Sequence, residues 1–165
     1  MAHLNRFSRN RCTSVEKLSP EKLRSTCRLH DNLTDAMVSI EVGLPELEIV
    51  SAQCRVDKAH PAPPPQAQER LQKVLGVRVG PGMLKIIKGL LGEDSQWAEL
   101  SFMVEECCHG VILTLTKDEL KKAPLLPEDC RDYFAGLVKD NIRLYNRCAA
   151  FAPGSSVVKD FDPPA

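Results

Sequence analysis

No apolar run in this 165-residue chain reaches the ~18 residues needed to span a bilayer. A membrane-spanning helix is therefore not expected. The N-terminal region carries arginines with no apolar stretch after them, so no secretory signal is expected either. There is no excess charge of one sign: Lys plus Arg and Asp plus Glu both number 22. A dedicated nucleic-acid binder would normally be basic, so nucleic acid is not an expected partner. The seven cysteines follow no repeating spacing. Without an export signal they read as reduced thiols of a cytoplasmic protein rather than a disulfide framework. Also missing are an internal repeat, a Ser/His/Asp signature, paired catalytic carboxylates, a full P-loop and a complete dinucleotide fingerprint.

What is present reads as an ordinary globular chain, long enough to bury a real core. The first thirty residues hold Arg6, Arg9, Arg11, Lys17, Lys22, Arg24 and Arg28 against Glu16 and Glu21. Residues 1–20 are therefore expected as a basic flexible arm. A single domain is expected over 21–152, and a Pro/Gly/Ser-rich tail over 153–165. Three strands open the domain. "LRSTCRLHD" is the first. In "DAMVSIEV", Ala36, Val38, Ile40 and Val42 fall on one face, which is the period of a half-buried strand. "GLPE" supplies a turn, and "ELEIVSAQCRV" is the third strand. Its apolar parity shifts from Leu47 and Ile49 to Val50, Ala52, Cys54 and Val56, which predicts a bulge near 49–51. Short connections predict an antiparallel meander.

"HPAPPP" ends the strand region as an extended connector. Four helices are then expected. The first is "PPQAQERLQKVLG", with Gly76 past its end, and the second "GPGMLKIIKGLLG", with Pro81 in its first turn and Gly92 at its stop. The third is "SQWAELSFMVEECCHGVILTL", capped by Ser95, and the fourth starts at Pro127 with Glu128 and Asp129 in its first turn. Strands followed by helices give an α+β fold: a three-stranded antiparallel meander with about four helices on one sheet face.

"EECCHG", residues 105–110, is the stretch most suggestive of chemistry. On a helical wheel, Trp97, Leu100, Val104, Val111 and Leu115 share an arc, with Cys107 and Cys108 at its opposite edges and His109 beyond Cys108. Metal ligands on one helix sit three or four residues apart, so these three diverge. The cysteines are expected as buried small hydrophobes. His109 is expected to pair at the surface with Glu105, four residues earlier. Both cysteines lie mid-helix behind two glutamates, which opposes thiolate formation. A composite metal or iron–sulfur site remains open, built from Cys54 and His60 with Cys107 and Cys108, or using the Cys27–His30 spacing. Gly80 and Gly82 with Lys85 resemble an anion-binding helix start.

The run from "DNLTDAMVSIEVGLPELEIVSAQCR" through "VLGVRVGPGMLKIIKGLLG" to "WAEL" resembles an uncharacterised bacterial family, domain of unknown function 2889, over roughly residues 22–150. The family carries a Gly-Cys-Thr-His-Leu motif. Here Leu100 matches its leucine, while Trp97, Ala98 and Glu99 replace the cysteine, threonine and histidine. The meander also resembles iron–sulfur scaffolds of the NifU type and their sulfur-acceptor relatives. Asp35 and Met37 match the scaffold's Cys-Gly-Asp-x-Met start, but Leu33, Ala59 or His60, and Trp97 stand where its cluster cysteines would be. Function is therefore expected to rest on binding an unidentified protein partner or small ligand. A thiol-dependent metal or iron–sulfur protein and a cysteine-dependent enzyme are the alternatives.

Overall fold

The computed structural model describes residues 7–59, 66–92, 95–146 and 148–159. The connector "HPAPPP", His60 included, lies outside them. The class is α+β, but the sheet has four strands in the order β1-β2-β3-β4, all antiparallel. They are β1 (Arg9–Ser19), β2 (Lys22–Asp31), β3 (Asp35–Gly43) and β4 (Glu48–Lys58). The extra strand is β1, so the expected basic arm is an edge strand from Arg9 onward. Its pattern is polar, but Thr13 and Val15 are β-branched and alternate with Cys12, Ser14 and Glu16, and Ser19–Pro20 opens a turn.

One face of the sheet is apolar. Leu23, Cys27 and Leu29 of β2, Val38, Ile40 and Val42 of β3, and Ile49 and Ala52 of β4 are all buried. The register aligns them in rows, such as Thr13–Cys27–Val38–Cys54 and Val15–Ser25–Ile40–Ala52. The expected bulge is present. Glu41 pairs with Ser51 and Val42 with Ile49, so Val50 is the extra residue and turns outward, 47 % exposed. That one insertion carries Ile49 and Ala52 to the same side. Leu47, expected inside the strand, instead takes φ 60 just before it. Its carbonyl accepts the Val79 N–H at 2.7 Å.

α1 (Ala67–Leu71) is shorter than expected and continues as a 3₁₀ turn over Gln72–Val74. Gly76 follows in the left-handed region, at φ 81. α2 (Met83–Leu91) begins two residues after Pro81, which therefore lies in the preceding turn and not in the helix. α3 (Ser95–Leu120) runs five residues past its expected end. Leu71, Val74, Met83, Ile87, Leu91, Met103, Val104 and Val111 close the core with the sheet.

The chain divides into two compact units, Met1–Leu115 and Thr116–Ala165. In the second, α4 (Pro127–Asp140) has Pro127 in its first turn, and 3₁₀ turns follow. Val138 and Val158 are buried there, the latter within the stretch expected as a tail. No described helix is long and apolar enough to cross a membrane.

Candidate functional site

The thiols on α3 are sealed. Cys107 and Cys108 are both fully buried, flanking Val104 and Val111 on the face that meets the sheet. The Cys107 thiol donates to the Val38 carbonyl at 3.6 Å, a long contact consistent with a weak sulfur donor. Burial pushes that thiol far up, and the neighbouring Cys27 pushes it further. The Ser25 hydroxyl offsets this in part. No hydrogen bond of good geometry reaches Ser25 Oγ, although it is buried. Burial also pushes Cys108 up to about 12, with Glu105 adding to the effect. Cys27 is raised by burial as well, against a lowering contribution from the Thr13 hydroxyl. A thiol of this kind is protonated at neutral pH and is a poor nucleophile.

The sheet thiol that meets α3 is Cys27. Cys54 is half-buried and raised by burial alone, and its backbone N–H donates to the Gln68 side chain at 2.9 Å. Cys54, Cys107 and Cys108 do not converge on a shared ligand position: among the described residues no group of three His, Cys, Asp or Glu is placed to hold a metal. His60 falls outside those residues. His109 sits at the surface as expected, but its partner is Glu106, at 3.7 Å. Glu105 turns instead to Ser101 at 3.4 Å and to Lys88 at 4.0 Å. A three-residue spacing brought His109 to Glu106 where a four-residue one was expected; both are neighbours on a helix.

At the anion-binding candidate the glycines shape a turn. Gly82 holds φ 84 and precedes α2. The Gly80 N–H points to Met83 Sδ at 3.3 Å, and the Met83 N–H returns to the Gly80 carbonyl at 3.2 Å. Lys85 is exposed on the next turn of backbone.

Polar groups converge elsewhere, at the end of the sheet where β1 and β3 begin and β2 and β4 end. Asp31 organises that end. Its side chain is fully buried, and Arg9 grips Oδ2 through Nε and a terminal nitrogen, both at 2.7 Å. Oδ1 accepts the Leu33 and Thr34 N–H groups at 2.7 and 2.6 Å, which closes the β2–β3 turn. Burial alone would raise this carboxyl. The Leu33 N–H, Arg9 and the Thr34 N–H together outweigh it and hold the group below its ordinary value. All four bonds tie the carboxylate to the protein itself, so Asp31 is a structural pin.

Around that pin lies an open cleft of about 670 Å³ lined by Asn10, His30, Asp35, Asp57, Lys58 and their neighbours. His30 Nδ1 is 3.2 Å from Asp35 Oδ2 on the adjacent strand. Lys58 Nζ donates to the Asn32 carbonyl at 2.6 Å, and Asn32 Oδ1 accepts the Ser8 N–H at 3.0 Å. Sequence reading did not single out this cleft. Its residues come from both chain directions of four strands, and only the register places Asn10, His30 and Asp35 in one row. The signal that was available is the spacing Asp31–Thr34 between two strands, an Asx-turn pattern. No protein-family model, no curated protein and no solved structure matches this chain.

Proposed function

We propose that the chain is a non-catalytic binding domain, working through the polar groups displayed by its sheet. The observation that carries this reading is that the thiols gathered beneath α3 are sealed while the polar groups that converge are accessible; Cys12 and Cys148 are exposed, and neither lines the cleft. The thiols of the core, Cys27, Cys107 and Cys108, are buried and held protonated. The accessible groups that converge, His30, Asp35, Asp57 and Lys58, surround an open cleft and are suited to hydrogen bonding and charge pairing with a ligand. A thiol-dependent enzyme would instead need a low-pKa cysteine open to substrate.

Competitive labelling with iodoacetamide at pH 8, read by mass spectrometry on the native protein, tests the reading. Cys12 and Cys148, both exposed, are expected to label fast, and Cys27, Cys107 and Cys108 only on unfolding. Fast labelling of Cys107 or Cys108 in the native protein would restore the cysteine-enzyme reading and remove this one.

A further inference from the structure

The two edges of the sheet are treated differently. The β4 edge is covered from Ile49 to Cys54. The Ile49 N–H donates to the Val77 carbonyl at 3.0 Å, and the Ile49 carbonyl accepts the Gly76 N–H at 2.9 Å. Further along, one side-chain amide imitates a strand: Gln68 accepts the Cys54 N–H and donates to the Ala52 carbonyl at 3.1 Å. Gln72 donates to the same carbonyl at 2.8 Å. The β1 edge has no such cover among the described residues.

Which β1 groups face outward follows from the alternation of an antiparallel ladder. The Asp31 N–H donates to the Thr34 carbonyl, and the Leu44 N–H to the Glu21 carbonyl. Odd residues of β2 therefore bond to β3, and even residues bond to β1. Through the register, Asn10, Cys12, Ser14 and Glu16 bond to β2. Arg9, Arg11, Thr13, Val15 and Lys17 are left with N–H and C=O directed away from the sheet. That is an open edge nine residues long, ended by a register shift between Lys17 and Ser19. Long open edges are usually blunted in native proteins, because they template pairing.

We propose that this edge is a strand-addition site, and that its occupant is an extended segment of another protein bearing carboxylates. The proposal rests on the binding-domain reading above. Charge selects the occupant. The outward-bonding residues include three cations, Arg9, Arg11 and Lys17. Arg9 is already held by Asp31 at 2.7 Å, Glu99 is shared by the two arginines at 3.3 Å each, and Lys17 has no ion pair among the described residues, so Lys17 and the half-satisfied Arg11 carry most of the selection. A second copy of this chain fits poorly. Antiparallel self-pairing centred on Ser14 sets Arg11 opposite Lys17, and centred on Thr13 it sets Arg9 opposite Lys17. Like charges directly opposite destabilise a pair of strands, and these are the registers of longest overlap. Carboxylates at the same positions convert that repulsion into cross-strand attraction, while main-chain bonds supply the remaining affinity.

The probe is a capped nine-residue peptide, Glu-Thr-Val-Thr-Val-Thr-Glu-Thr-Glu, which in antiparallel register places glutamates opposite Lys17, Arg11 and Arg9. Its binding to the full chain is read by amide hydrogen exchange. At saturation the Arg11, Thr13 and Val15 amides are expected to exchange at least about tenfold more slowly. Replacing the glutamates by lysines should weaken binding about tenfold or more. Val15→Pro removes one outward N–H together with a side chain packed under α3, so its fold is checked by circular dichroism, and with the fold kept it should weaken the protection of Arg11 and Thr13. Lys17→Glu, at an exposed position, should weaken binding with the fold intact. Unchanged exchange of the β1 amides overturns the proposal, as does equal binding of the lysine peptide. So does concentration-dependent protection of β1 without peptide, accompanied by sedimentation as a dimer, because a second copy would then fill the edge. If the core thiols stay inert in any of these cases, the strand-addition site alone has failed and the non-catalytic reading stands.

Discussion

At the residue scale, Asp31 and the α3 cysteines look alike in sequence, as polar or reactive groups beside apolar ones, and the structure gives them opposite surroundings. Asp31 is buried with four bonds, and Arg9 and two turn N–H groups hold its carboxyl below the ordinary range despite burial. Glu41 is likewise lowered, by Arg24 first and by Lys22. A carboxyl whose folded pKa is depressed binds fewer protons in the native state than in the unfolded one. Its contribution is complete above the unfolded pKa and is lost as pH falls through the folded one. Thermal unfolding followed from pH 7 downward should therefore show a midpoint that drops below about pH 4. Asp31→Asn should lower the midpoint at pH 7 and flatten part of that acid decline, with Glu41 keeping the rest. An acid limb identical to wild type would mean the Asp31 pairing contributes nothing. Burial of Cys107 and Cys108 was legible from the helical wheel, because an apolar arc is a local property. The partner of Cys107 was not: Cys27 is eighty positions away, and only the register brings it under α3.

At the element scale, the contact of α3 with the sheet turns on Gly110. A methyl group there would lie 3.0 Å from Thr13 Cγ2, 3.0 Å from Val15 Cγ2 and 3.1 Å from Ser25 Oγ. The glycine lets the helix approach β1 and β2 closely, at the cost of helix propensity. Alanine would regain about 1 kcal/mol of propensity. Overpacking against three side chains, two of them stiff β-branched residues, costs about 1–3 kcal/mol and should prevail. Gly110→Ala is therefore expected to destabilise, shown by a lower denaturant midpoint at unchanged slope; a higher midpoint would show that α3 can lift without loss. In the sequence this glycine was simply the end of "EECCHG". It was missed for the same reason that β1 was missed: β1 is polar, and its burial is set by what lies above it. Thr13 and Val15 read as strand residues only once Gly110 is seen over them. The Val50 bulge was readable in advance, since a change of apolar parity within one strand has a single economical solution.

At the scale of the whole molecule, the two units differ in how much they bury. Among the described residues the first encloses nearly all of the buried apolar ones, whereas Leu125, Leu126 and Ile142 of the second are exposed and Val138 and Val158 are its buried hydrophobics. Low apolar burial gives low local stability. Native-state hydrogen exchange should therefore find α4 amides opening at lower free energy than those of β2 and β3; equal protection across both would show one cooperative unit. By itself the sequence determined the α+β class, three of the four strands, the approximate helices and the apolar sides of β3 and α3. Each of these is written in a local period or in turn chemistry. Only the tertiary structure decided that the basic N-terminal stretch is a strand from Arg9 onward, that Cys27 meets Cys107, that Asp31 is a pin, and that one sheet edge is plugged by Gln68 while the other has no such cover among the described residues. Those outcomes depend on pairings between residues distant along the chain. The free energy of such a pairing lies in the partner's position and in water being excluded between the two, and neither is encoded in a local pattern.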